Sequence, residues 1–159
     1  MPTIGITGHR GLTPDIEAYA RAEIRRLLDD REPAGLGGVS CIADGPDSIF
    51  AEEILARGAH LTVILPAAGY RDGLPAEHHA LYDELLAKAG RVVSLPNEEP
   101  DPAAHMDAGT RLVDESDLLI AVWDGEPSRG LGGTADVVAY ARQTGTAVHV
   151  LWPAGARRP

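Results

Sequence analysis

The sequence predicts an α/β fold: a three-layer, Rossmann-like, doubly wound parallel sheet of about six strands with helices on both faces. Two observations carry this expectation. Six apolar runs of strand length alternate with five stretches of helical periodicity, an order that gives parallel strands joined by right-handed crossovers. The residues able to do chemistry also cluster just after the strands, where an open parallel sheet forms its ligand crevice. At 159 residues, with 44 % hydrophobic and 24 % charged positions, the chain suits one core better than two. Residues 1–153 are therefore expected as one domain and residues 154–159 as a flexible tail.

The strands are expected at residues 3–7, 39–43, 61–65, 91–95, 118–123 and 147–152. The first helix, 14–28, places Ile16, Ala20, Ile24, Leu27 and Leu28 on one face; Thr13 can cap it and Pro14 suits its first position. The second, 47–57, ends at Gly58. The third, 76–89, turns Leu81, Tyr82, Leu85 and Leu86 inward. A fourth starts near Pro102. The fifth runs from Thr134 through Val137, Val138 and Ala141 to Gly145, a left-handed cap position. Segments 31–38 and 95–102 are Gly/Pro-rich connections.

Charge and composition narrow the partners. A formal net charge of −10 and only 4 % aromatic residues disfavour a phosphate-tracking or base-stacking surface, so nucleic acid is the less expected partner. The single Cys41 cannot form an intrachain disulfide; it sits in an apolar run and reads as a small core residue. No charged-then-apolar leader is evident, and the longest apolar runs are strand-sized, so a cytoplasmic protein without membrane contact is expected. His78 and His79 follow Glu77, but adjacent residues point to different helix faces and no second ligand cluster exists, so a solvated helix surface is expected and no metal or other cofactor.

Two Gly-rich loops carry the strongest functional signal. Gly5-Ile6-Thr7-Gly8-His9-Arg10 and Gly130-Leu131-Gly132-Gly133-Thr134-Ala135-Asp136 each follow an apolar run and precede a helix. Glycines let backbone amides approach an anion at a helix start, where the dipole favours negative charge. Gly8, Gly132, Gly133 and Thr134 are the phosphate candidates, Thr134 being equally an N-cap. Arg10 is either a bidentate phosphate partner or a solvated cation, and His9 either a donor or proton relay or a packed loop residue.

Asp44, Gly45 and Asp47 form a turn after the second strand, where a carboxylate can accept from ribose hydroxyls or cap the next helix. Residues 66–70 follow the third strand. Asp124 and Glu126 follow the fifth and, with Asp136, are the carboxylates able to stabilise an oxocarbenium-like centre in N-glycoside cleavage. Asp136 can also be a first-turn acid held by the helix dipole. Trp123 and Trp152, at strand ends, either cover the core or edge the crevice.

Four segments, Ile4 to Arg10, Val39 to Asp47, Ser116 to Val122 and Gly132-Gly133-Thr134, in this order and spacing, resemble the SLOG superfamily of Rossmann-like proteins, which includes the Lonely Guy phosphoribohydrolases and the DNA-processing protein A family. The resemblance implies a three-layer fold, a nucleotide or nucleotide-derived ligand, and a homodimer. It has departures. The Lonely Guy loop Gly-Gly-x-Gly-Thr-x-x-Glu would put its Glu at Val137, whereas the carboxylate here is Asp136, and Arg111 is out of register with that family's catalytic Arg. Ser40 to Asp47 is similar to the DNA-processing protein A segment Ser-Gly-x-Ala-x-Gly-x-Asp, with Ala51 where that family has His. A weaker similarity links Trp123-Asp124-Gly125 and Gly133-Thr134-Ala135 to nucleoside deoxyribosyltransferases, whose nucleophilic Glu would again fall at Val137.

The expected function is binding of a nucleotide or nucleotide-derived small molecule through the two Gly-rich loops. The alternatives are an N-glycosidic hydrolase or transferase acting on nucleoside monophosphates through Asp136, Asp124 or Glu126, and, less expected, a DNA-binding scaffold.

Overall fold

The computed structural model describes residues 2–159. In chain order it contains β1 (Thr3–Gly8), α1 (Pro14–Asp29), β2 (Gly37–Ser40), α2 (Pro46–Ala56), β3 (His60–Leu65), α3 (His79–Lys88), β4 (Arg91–Ser94), α4 (Pro102–Asp114), β5 (Leu118–Val122), α5 (Thr134–Gln143) and β6 (Ala147–Leu151). The six strands form one sheet in the order β4-β3-β2-β1-β5-β6, parallel throughout. The chain winds outward from β1 to β4, then crosses back to β5 on the other side of β1. The switch point therefore lies between β1 and β5, outside their carboxyl ends.

Strand alternation divides the core into two layers. Ile4 and Ile6 of β1, Leu61 and Val63 of β3, and Ile120 and Val122 of β5 pack with Ile16, Ala20, Ile24 and Leu28 of α1 and Phe50 and Ile54 of α2. On the opposite face Val39, Ile64, Leu119 and Ala121 pack with Leu112 and Val113 of α4 and Val137, Val138 and Ala141 of α5. All are under 10 % exposed, and each Val, Leu, Ile or Phe among them contributes roughly 1.5–3 kcal/mol relative to exposure. The expected face of α1 is buried except for Leu27, which is half-buried, and Thr13 Oγ1 accepts from the Ile16 N–H at 3.4 Å. Of the α3 face, Tyr82 and Leu85 are buried while Leu81 and Leu86 are half-buried.

The second strand starts two residues before the apolar run, because Gly37 and Gly38 pair with Thr3 and Ile4 on one side and His60 and Leu61 on the other. A Cβ on Gly38 would meet Ile54 Cγ1 at 2.7 Å, so the missing side chain is what lets α2 lie on this strand. The strand also stops earlier than its apolar run, at Ser40. Residues 76–78 form a separate turn of 3₁₀ helix before α3. Between α1 and α2, the nearly buried Glu53 accepts from Arg21, Arg25 and Arg57 at 2.8–3.0 Å. Burial alone would raise its pKa, but these guanidinium hydrogen bonds hold it below the ordinary carboxylate value. Among the described residues no helix is long and apolar enough to cross a membrane.

Candidate functional site

A cavity of about 270 Å³ opens at the switch point, lined from β1 by Gly8, His9 and Arg10, from the β2–α2 turn by Asp47, from α4 by His105, and from the α5 start by Gly132, Gly133 and Thr134. The last loop reaches this place because Gly132 sits at φ +86°, a conformation L side chains resist, and a Cβ there would lie 3.0 Å from Met106 N and Pro102 O of α4. The Asp136 carboxylate braces the loop by accepting from the Gly132 N–H at 3.1 Å, while its own N–H donates to Ser128 Oγ at 3.2 Å.

The bracing leaves the first turn of α5 free. Among the described residues the N–H groups of Thr134 and Ala135 have no protein acceptor, whereas Asp136 and Val137 already donate to the Gly133 carbonyl. Thr134 is only 6 % exposed; its hydroxyl makes no hydrogen bond to protein among the described residues and, not being sealed off, opens on the cavity the residue lines. Arg10 stands across from it. Its Nε donates to Asp44 Oδ1 at 2.7 Å, which aims the guanidinium and leaves both Nη groups free of protein partners among the described residues.

The carboxyl end of β1 is tied to that of β5. His9 is buried, its N–H donates to the Val122 carbonyl at 3.2 Å, and its ring packs edge-on against Trp152 at 5.7 Å between centroids. His9 Nε2 lies 3.1 Å from Asp124 Oδ1. Burial lowers the His9 pKa more than the Asp124 hydrogen bond restores it. For Asp124, burial would raise the pKa, yet the hydrogen bonds from the Glu126 N–H and His9 bring it below the ordinary value. The lowered value keeps the ring neutral near pH 7, with Nε2 within hydrogen-bond reach of both Asp124 Oδ1 and, at 3.3 Å, the Asp124 N–H.

Asp47 is the acidic side chain on the cavity wall. Burial pushes its pKa up to about 7, against the lowering effects of the Ala43 N–H, which donates to Oδ2 at 3.3 Å, and of the Arg10 charge. It is held by an irregular turn in which Ile42, a buried β-branched residue, takes φ +49°. That conformation costs about 1–3 kcal/mol. Both ends of it are pinned: the Ile42 N–H donates to Ser40 Oγ at 3.0 Å and its carbonyl accepts from His78 Nε2 at 2.9 Å, while Ser48 Oγ donates to the Ala43 carbonyl at 2.6 Å. This turn is why β2 ends at Ser40.

Several placements differ from those expected. Asp44 and Gly45 line a separate groove between α1, α2 and α3. Asp124 and Glu126 line an outer groove, and Asp136 faces its own loop, so none of these three carboxylates is on the cavity wall. His78 is buried against the Ile42 turn, and His79 Nε2 lies 2.7 Å from the Arg71 carbonyl; neither belongs to a solvated face. Residues 154–159 fold back, with Trp152 Nε1 donating to the Ala156 carbonyl at 3.0 Å and Arg158 reaching the cavity. Among the described residues no three His, Cys, Asp or Glu side chains gather as metal ligands.

Tyr70, His105 and Arg158 line the cavity without having been singled out in the sequence. Tyr70, 3 % exposed, packs edge-on against the His105 ring at 6.0 Å. Burial raises the Tyr70 pKa and lowers that of His105, leaving both neutral. Tyr70 carried a signal, since it ends the segment after the third strand; His105 and Arg158 carried none. Cys41 also lines the cavity, and burial holds its thiol protonated.

No protein-family model matches the chain, and no curated protein matches it in sequence. Solved structures do. DNA processing protein A from Streptococcus pneumoniae superposes with a TM-score of 0.73 at 19 % identity over 98 % of this chain and 52 % of that one. The Helicobacter pylori DNA processing protein A gives 0.74 at 20 % identity over 99 % and 68 %. The chain shares its fold with these proteins. The molybdenum cofactor binding protein of Rippkaea orientalis shares it, with a TM-score of 0.60 at 17 % identity over 94 % of this chain and 75 % of that one. This chain spans about half the length of the pneumococcal protein. Within this shared fold, Gly8, His9, Arg10, Asp47, Gly132, Gly133 and Thr134 come together from three separate loops into one cavity.

Proposed function

We propose that this protein binds a nucleotide or nucleotide-derived small molecule, with a phosphate seated on the first turn of α5. The observation that carries the reading is the pair of unpartnered N–H groups at Thr134 and Ala135 beside the Thr134 hydroxyl, in the cavity that Arg10 also lines with both Nη groups free among the described residues. Dipole, donors and a guanidinium fork share one cavity, the arrangement an anion needs. Tyr70 and His105 line the remainder of the cavity with neutral polar groups, and Asp47 with a carboxyl that titrates near 7, suited to a sugar or base. Two fold relatives support a ligand of this kind, one binding single-stranded DNA and the other being a molybdenum cofactor binding protein. Turnover by an N-glycosidic route has less support, because Asp136, Asp124 and Glu126 are engaged outside the cavity. A homodimer rests on the resemblance alone, and a cytoplasmic setting on the sequence reading; sedimentation at micromolar concentration that showed only monomer would remove the dimer.

Thermal unfolding against nucleoside mono-, di- and triphosphates, NAD, ADP-ribose and cyclic nucleotides tests the reading. A ligand at about a hundred times its Kd stabilises by about 2.7 kcal/mol, several degrees in a chain of this size. The shift is expected to be selective and to vanish in Thr134→Asp, which places a carboxylate in the anion position while remaining compatible with a helix start. No shift across the panel would overturn the reading.

A further inference from the structure

The arginines of this acidic chain are unevenly distributed in their pairing. Among the described residues, Arg31, Arg129, Arg142, Arg157 and Arg158 are the Lys and Arg side chains that make no carboxylate pair. Arg142 covers the Trp123 ring at 5.8 Å. Arg129, Arg157 and Arg158 meet in one groove of about 480 Å³ beside the carboxyl end of β5. Arg158 lines both this groove and the cavity that holds Thr134 and Arg10, so the two spaces share a wall made by one guanidinium. Arg129 Nη1 donates to the Pro159 carbonyl at 3.0 Å, which ties the folded-back segment to the loop before α5.

We propose that this groove takes a second phosphate of the same ligand, so that the ligand class is a pyrophosphate-linked nucleotide, a nucleoside diphosphate or dinucleotide, in preference to a nucleoside monophosphate. The inference rests on the phosphate reading of the α5 start. With the first phosphate there, Arg158 is the residue that lines both spaces, and Arg129 and Arg157 line the groove with it. Three unpaired cations grouped in a chain of net charge −10 carry a repulsion that an anion relieves. A small ligand fits better than a continuous strand. The groove also contains Asp124 and Glu126, which repel a polyanion, and the neighbouring indole of Trp123 is already covered by Arg142.

Calorimetric titration at fixed ionic strength with matched nucleoside 5′-monophosphates and diphosphates, NAD and a thymidine oligomer decides it. The wild type is expected to bind the diphosphate at least about tenfold tighter than the monophosphate of the same base. That ratio falls towards one in Arg129→Ala/Arg157→Ala, and it rises in Glu126→Gln, which removes an opposing charge and needs no arginine replaced. Measurable monophosphate binding with a wild-type ratio of one overturns the second subsite and leaves the phosphate reading intact. Oligomer binding without a diphosphate advantage overturns it in favour of a strand. Absence of binding by every compound overturns both.

Discussion

At the scale of single residues, the site is governed by groups whose charge is set by burial. Asp47 is the clearest case. Its folded pKa, about 7, lies above its ordinary value of 3.8, so the native state holds the extra proton between those two values. Its contribution to stability is complete below about pH 4 and declines as pH rises through 7. Asp47→Asn keeps an acceptor for the Ala43 N–H and cannot ionise. Its unfolding midpoint is expected to exceed that of the wild type at pH 8 and to lose the advantage near pH 4, read by thermal unfolding across pH. His9 and His105 act with the opposite sign. Their folded values lie below 6.5, so the unfolded state takes up protons first and stability falls as pH drops below about 6.5.

A second residue-scale expectation concerns the strained Ile42 turn. Ser40→Ala leaves the buried Ile42 N–H without its acceptor and is expected to cost about 1–3 kcal/mol in urea unfolding, with the m value unchanged. The sequence could not show this turn. Val39 to Ala43 has the composition of a continuous strand, and only the hydrogen bonds of Ser40 and His78, two elements apart in sequence, reveal why the chain departs from β geometry after four residues.

At the scale of elements, close backbone approach replaces side-chain volume where helices meet. A Cβ on Gly109 of α4 would lie 2.7 Å from Val137 Cγ2 of α5. Gly109→Ala is therefore expected to push α5 from α4, with a loss of about 1–3 kcal/mol despite the better helix propensity of Ala, and to weaken nucleotide binding because Thr134 moves with α5. An unchanged unfolding midpoint would show that the helices yield without strain. The start of α1 was legible from the Thr13-Pro14 cap and that of α4 from Pro102, to which the structure adds Asp101 Oδ1 accepting from the Ala104 N–H at 2.8 Å. The burial of His78 was not, since a 3₁₀ turn before α3 rotates it off the exposed helical face the sequence suggests.

At the scale of the molecule, alternation of strands and helices fixes a parallel sheet, and the crossover from β4 to β5 creates the one place where loops from both halves face each other. That much could be read from the order of apolar runs and Gly-rich turns, which also located Gly8, Arg10, Asp47 and Thr134. The directions of Asp124, Glu126 and Asp136 could not be read, because each is decided by a local partner: His9, the outer groove and the Gly132 N–H. Arg158 lay beyond any periodic signal and reaches the cavity only because residues 154–159 fold back. Net charge was likewise an incomplete guide, since most cations are paired and, among the described residues, three of the five without a carboxylate partner, Arg129, Arg157 and Arg158, line one groove beside the site.

The central claim is that the first turn of α5 holds the phosphate, and the most direct measurement is an amide proton–nitrogen spectrum recorded during titration with a nucleotide that stabilises the fold. The Thr134 and Ala135 amides are expected to shift downfield in proportion to occupancy, with smaller changes at Arg10 and none in Thr134→Asp. Saturable shifts confined to residues away from the α5 start, with those two amides unmoved, would contradict the account.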